Sequence, residues 1–182
     1  MLFRSRVFFP PASFGQTNLA LADHLVARVA AWVPPGTRVV ELYAGVGAIG
    51  LGLVPRAAGV TFNEAAPGSL AGLAMGLAAL APEHRARTAV RPGPAAAHLD
   101  ALAGAGVVIV DPPRKGLDAE VLARLVHEPP PRLVVVSCDL DAFRRETRAL
   151  LAGGRTRLAA LVPFALFPYT AHVETLALFK RA

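Results

Sequence analysis

Short aliphatic, β-branched runs alternate along the chain with longer stretches of helical spacing. Leu21, Leu25, Val29 and Trp32 recur at helical intervals over 19–33, until Pro34-Pro35-Gly36 breaks the pattern. Apolar runs at 37–42, 59–62, 107–110 and 133–137 read as buried strands, with a further short one at 88–91. Between them 67–80, 117–126 and 141–151 read as helices; Pro129-Pro130-Pro131 stops the second and Gly153-Gly154 the third. A glycine-rich turn, Gly45-Val46-Gly47-Ala48-Ile49-Gly50, joins the first strand to what should be another helix. Residues 157–163 and 173–179 read as two closing strands joined by 164–172, while 92–106, rich in Gly, Ala and Pro, show no usable period. Strands alternating with helices predict an α/β fold with a mainly parallel sheet, closed by a C-terminal antiparallel hairpin. No repeat, low-complexity tail or linker divides the chain, so residues 1–182 are expected to form one domain.

Composition narrows the possibilities. Hydrophobic residues make up 54% of the chain and charged ones 18%, which excludes general disorder. No secretory signal is legible at the N-terminus, where 1–10 hold arginines but no long apolar run. Residues 65–82 carry no charge over nearly a membrane-spanning length, but they are mostly alanine and include Pro67 and glycines. A packed helix is the expected reading, and no membrane partner. The net charge of +6, carried mostly by arginine, suits a polyanionic partner such as RNA, and equally an arginine-rich proteome. A lone cysteine, Cys138, rules out an internal disulfide and a thiolate metal cluster within the chain, and points to the cytoplasm.

Chemistry concentrates where strands end. The turn after Glu41 places glycines where backbone can approach a nucleotide-like ligand closely. Glu41 ends the first strand, an acid that a pyrophosphate would not tolerate, and Glu64 follows the second strand, where a carboxylate can accept both ribose hydroxyls. Asp111-Pro112-Pro113-Arg114-Lys115-Gly116 leaves a buried strand along a path stiffened by two prolines. Such a turn can hold a planar base, with Arg114 and Lys115 free to meet phosphate. Cys138 ends another apolar strand, where Arg144 and Arg145 are positioned to favour its thiolate. Glu174 opens a final apolar strand, a costly place for a carboxylate without a task, and His172 precedes it as a weaker candidate base.

Taken in order, Phe14-Gly-Gln16-Thr-Asn18, the glycine turn, Asp111-Pro-Pro-Arg-Lys-Gly116, Val136-Ser-Cys138 and Phe167-Pro-Tyr-Thr-Ala-His-Val-Glu174 resemble the uracil-5 RNA methyltransferase family. The resemblance covers nearly the whole chain. It implies a Rossmann-like class I S-adenosylmethionine-dependent methyltransferase fold, S-adenosylmethionine as cofactor and no metal, and tRNA or rRNA as partner. By position it implies Cys138 as nucleophile, Glu174 as base, and Gln16, Tyr43, Gly45, Glu64 and Asp111 as cofactor contacts. It also implies that Asp111 contacts the target base, with Arg114 and Lys115 on the substrate side.

Departures from the pattern sharpen the expectations. Asp139-Leu140 stand where the family has Asn-Pro, and an acid beside the nucleophile should raise its pKa if both face one pocket. The segment 92–98 holds no recognisable adenine-binding residue, and Ala165 replaces a common acid. The RNA-binding barrel that precedes the catalytic domain in the family has no counterpart here, so a stand-alone enzyme, one half of a split protein and a remnant all remain open, as does RNA binding by a separate protein. Three other readings stay alongside uridine methylation. A non-catalytic cofactor- or RNA-binding module would bind without turnover. A nitrogen-directed methyltransferase would leave Cys138 idle. A nicotinamide dehydrogenase would bind NADH in place of S-adenosylmethionine.

Overall fold

A computed structural model describes residues 6–11, 15, 18–166, 170 and 173–182. The elements run α1 (Leu19–Trp32), β1 (Arg38–Leu42), β2 (Gly59–Glu64), α2 (Pro67–Ala78), α3 (Pro82–Arg85), β3 (Thr88–Pro92), β4 (Val107–Val110), α4 (Ala119–His127), β5 (Arg132–Ser137), α5 (Leu140–Ala152), β6 (Thr156–Phe164) and β7 (Glu174–Arg181). They build one seven-stranded sheet of order β3-β2-β1-β4-β5-β7-β6. β1 to β5 are mutually parallel, and β7 inserts antiparallel between β5 and β6, so the expected hairpin is present.

The central strand β4 is apolar throughout, and β5 nearly so, because both of their faces are covered, whereas the edge strand β3 is mostly exposed. Val39, Val60, Phe62, Ile109, Val134 and Val136 point into one core, with α1 and α2. Val40, Leu42, Val108, Val110, Leu133 and Val135 point into the other, which Val121 and Leu125 of α4 and Phe143 and Leu150 of α5 complete. The outer strand β6 is half exposed, and its pairing slips between Leu158 and Ala160. Such an irregularity, with Pro163 on the same strand, discourages edge-to-edge pairing.

Two expectations are revised. The helix foreseen after the glycine turn is only a 3-10 turn, Gly50–Leu53. Gly50 and Gly52 weaken helix propagation, and Pro55 would clash with the carbonyl of residue 51 in a continued helix. The segment without a period contains a 3-10 stretch, Ala95–Leu102, kinked at His98, whose ring nitrogen lies 2.8 Å from the Pro92 carbonyl. The uncharged segment 65–82 is largely the 12-residue α2, and no described helix is long and apolar enough to cross a membrane.

Candidate active site

The sheet topology brings the strand-end residues together. Leu42 pairs with Val110 and with Asn63, so Tyr43, Asp111 and Glu64 leave neighbouring strands at the same edge. Because β7 runs antiparallel, its first residue reaches that same edge: Ser137 pairs with Thr175, which sets Cys138 beside Glu174. Tyr43, Gly45, Asp111, Arg114, Cys138 and Glu174 all line one cavity of about 590 Å³. That volume lies in the range of small-molecule sites, roughly 300–1,000 Å³. Phe9, Gly15 and Leu19 contribute an apolar wall that the sequence alone did not suggest. Gln16, Phe14 and His172 lie outside the described residues. Asn18, at the end of the first motif, caps α1 by accepting the Leu21 N–H at 3.2 Å, a structural task.

The glycine turn is open at one position and tightly packed at another. Gly45 has φ +57, and a Cβ there would meet nothing within 4 Å, so its face opens into space. Gly50 is tight instead: a Cβ would collide with Glu41 Oε2 and with Phe62. Glu41 is buried under the turn, its Oε2 without a partner, and burial followed by the charge of Asp111 pushes its pKa up to about 8. Glu64 is more engaged than expected. Oε2 accepts the Gly45 N–H at 2.7 Å, while Oε1 accepts the N–H groups of Ala65 and Ala66 at 2.8 and 2.7 Å. A carboxylate has about four acceptor sites. Glu64 therefore has room for one further hydroxyl at Oε2, and not for the two foreseen.

Tyr43 is clamped. It holds φ +58, a conformation that costs a bulky residue about 1–2 kcal/mol. Its hydroxyl donates to Asp118 Oδ2 at 3.0 Å and accepts the Asp118 N–H at 3.2 Å. Two hydrogen bonds of about 1 kcal/mol each offset that strain. Asp118 also holds Lys115, Nζ to Oδ1 at 2.9 Å, so Lys115 is not free as expected and does not line the cavity. The pair is exposed on the lysine side and worth about 0–1 kcal/mol. A phosphate could displace it at little cost. Arg114 is exposed and lines the cavity.

The carboxyl and thiol groups at this edge share one electrostatic neighbourhood. Glu174 is buried, its Oε1 has no partner, and burial pushes its pKa up to about 7. Asp111 is pushed up to about 8 by burial and then by Glu174. The half-buried thiol of Cys138 is raised by burial, Glu174 and Asp111, and lowered by Arg114. Two expectations are corrected here. The cation acting on the thiol is Arg114; Arg144 is exposed on α5, and Arg145 donates to the Lys115 carbonyl at 2.9 Å. Asp139 does not load the thiol either, because its side chain turns away to cap α5, accepting the Ala142 N–H at 2.8 Å. Among the described residues, no group of three or more His, Cys, Asp or Glu is arranged to hold a metal ion.

Glu41 carries a stability prediction. Its folded pKa, about 8, lies above the ordinary 4.5, so its neutral form stabilises the fold. That contribution is complete below pH 4.5 and is lost as pH rises through about 8. The Tm is expected to fall between pH 5 and pH 9, and Glu41→Gln, which cannot ionise, should flatten that fall. Parallel slopes by calorimetry would refute the assignment.

Fold and site together define a class: a Rossmann-like class I methyltransferase, with its ligand edge at the carboxyl ends of parallel strands and a reversed seventh strand. The relatives narrow it. Residues 97–182 match the family described as tRNA (uracil-5-)-methyltransferase. Across 97% of its length the chain is 35% identical to an uncharacterized RNA methyltransferase of Protochlamydia amoebophila, of which it spans 46%. Across 94% it is 38% identical to the 23S rRNA (uracil(1939)-C(5))-methyltransferase of Chromohalobacter salexigens, of which it spans 35%. The chain thus spans less than half the length of these relatives. Among solved structures, the tRNA (uracil-54, C5)-methyltransferase of Pyrococcus abyssi, in complex with S-adenosyl-L-homocysteine, superposes on 93% of this chain and 40% of its own. The TM-score is 0.76, with 28% identity.

Proposed function

We propose that this chain transfers a methyl group from S-adenosylmethionine to C5 of a uridine in tRNA or rRNA, as the catalytic domain of a cytoplasmic RNA-modifying system. The observation that carries this reading is the meeting of Cys138, Glu174 and Asp111 at one cavity that the Gly45 turn also lines. The residues present suit the cofactor: an open glycine, a carboxylate with one spare acceptor at Glu64, and an apolar wall at Phe9 and Leu19. Gln16 is proposed as a further contact. RNA-binding surface beyond this chain, on the same or another polypeptide, would complete substrate capture.

When bound, the cofactor supplies an electrophilic methyl group on sulfonium. Everything else falls to the chain. Uracil C5 is a poor nucleophile until Cys138, as thiolate, bonds to C6 and drives the C5–C6 π pair towards C5 and the O4 carbonyl. Arg114 favours that thiolate by its charge and, exposed at the cavity, is proposed to meet an RNA phosphate. Asp111, with its raised pKa, is largely protonated at neutral pH and can donate a hydrogen bond to a uracil carbonyl as charge develops. Once C5 carries the methyl group, Glu174 removes the C5 proton. The released pair rebuilds the C5–C6 double bond and expels Cys138 as thiolate. A base with a pKa near 7 matches that work at physiological pH. Lys115 is proposed to leave Asp118 for a phosphate when RNA docks.

The test is tritium release from RNA labelled at uridine C5, with unmodified total tRNA and rRNA, alongside calorimetric titration with S-adenosyl-L-homocysteine. Release is expected only when S-adenosylmethionine is present. Binding of S-adenosyl-L-homocysteine without any release would overturn catalysis by this chain on those RNAs.

A further inference from the structure

The base-gripping turn is held from below by a residue that the proposed chemistry does not use. α5 buries Ala142, Phe143, Glu146 and Leu150 on one face, an apolar stripe interrupted by a single acid. Glu146 is 2% exposed. Its Oε1 accepts the N–H of Leu117 at 2.7 Å, and its Oε2 has no partner. Gly116, at φ +88, packs so closely that a Cβ there would collide with Oε1 and lie 3.2 Å from Ala142 Cβ. The adjacent Arg145 grips the same backbone, Nη2 to the Lys115 carbonyl at 2.9 Å. Two successive residues of α5 thus tie down the end of the Asp111–Leu117 turn. The same helix starts immediately after Cys138, with Asp139 as its cap. An acid kept on an apolar helix face, at a desolvation cost, needs such a partner.

We infer that Glu146 is a positioning residue: through Leu117 and Gly116 it sets Pro112, Pro113 and Arg114 against Cys138, so that a base lying on the turn presents its C6 to Sγ. The role rests on the uridine-methylation reading above. Placement errors of about 1 Å can cost a rate of order a hundredfold, so a rigid tie beneath the turn matters to the chemistry.

Three variants of the full chain separate this role from bulk stability. Glu146→Gln keeps an acceptor oxygen at the same reach and is expected to hold tritium release within about threefold of wild type. Glu146→Asp retracts the acceptor by one methylene, and Glu146→Leu removes it. Both should lose kcat/KM for RNA by about a hundredfold, mostly in kcat. Affinity for S-adenosyl-L-homocysteine should stay within about twofold in all three, since the Gly45 turn is untouched. Exchange of the Leu117 amide with solvent should quicken at least tenfold in the Asp and Leu variants and not in Gln. Wild-type release by Glu146→Asp would overturn the inference, as would a Gln variant as poor as Leu, or cofactor affinity falling in step with rate. If Glu146→Leu fails to fold, the Gln and Asp pair still decides. A wild-type chain that binds the cofactor but releases no tritium removes the parent reading and this role together, whereas an active wild type with indifferent variants removes only this role.

Discussion

Replacing Cys138 with alanine is expected to abolish methyl transfer while leaving the fold and cofactor binding in place. On the proposed route no adduct forms at C6 without the sulfur, and C5 stays too weak a nucleophile to attack. Loss of a covalent nucleophile typically costs about four to six orders of magnitude in turnover. The thiol is half-buried and its pKa is raised by burial and by two carboxyl neighbours, so its removal relieves a crowded site. Thermal stability should move by about 1 kcal/mol or less. The measurement is tritium release and methyl incorporation by Cys138→Ala, with S-adenosyl-L-homocysteine titration as control. A variant that still methylates RNA would exclude the covalent route and favour transfer to a nitrogen, with Asp111-Pro112-Pro113 as the base grip and Cys138 a bystander.

Glu174→Gln should stop the same reaction one step later. On the proposed route the variant still forms the C6 adduct and accepts the methyl group, but lacks the base that removes the C5 proton. Turnover is expected to fall by about 10²–10⁴-fold, the usual worth of a general base. Protein covalently joined to methylated RNA should build up and survive denaturing electrophoresis. The pH dependence follows from the same carboxyl. With a pKa near 7, wild-type turnover should drop as pH falls below 7, because the protonated acid cannot accept a proton. For stability the direction is opposite: neutral Glu174 favours the fold, and that gain is lost as pH rises through about 7. Glu174→Gln should therefore lack the wild-type acid limb at its residual rate. A variant that turns over normally, or that leaves no adduct while Cys138 is intact, would assign the base elsewhere.

The fold was legible wherever a strand carried its own evidence. Val107–Val110 and residues 133–136 are apolar along their whole length, because parallel strands covered on both faces have no solvent side to mark. The boundaries of α1 and of the closing hairpin followed from helical spacing, prolines and glycines. The turn after Gly45 misled, since apolar residues in a 3-10 turn mimic a helix start until Pro55 is weighed. Glu146 carried a signal that was overlooked: it stands three residues after Phe143 and four before Leu150, an acid on the apolar stripe of α5.

Local sequence determined which residues could do chemistry. Glycines where backbone takes positive φ, a double proline after Asp111, and single reactive groups at the ends of apolar strands are properties of short segments, independent of what lies across the sheet. Only the tertiary structure decided how those groups act on one another. Strand order put Cys138 beside Glu174, Asp111 between them and the Gly45 turn, and Arg114 near the thiol, while Asp139 turned away into a cap and Lys115 into an ion pair. The reason is physical: charge coupling and burial depend on distances through space and on excluded water, and residues 36 apart in the chain, such as Cys138 and Glu174, acquire both only when the sheet closes over them.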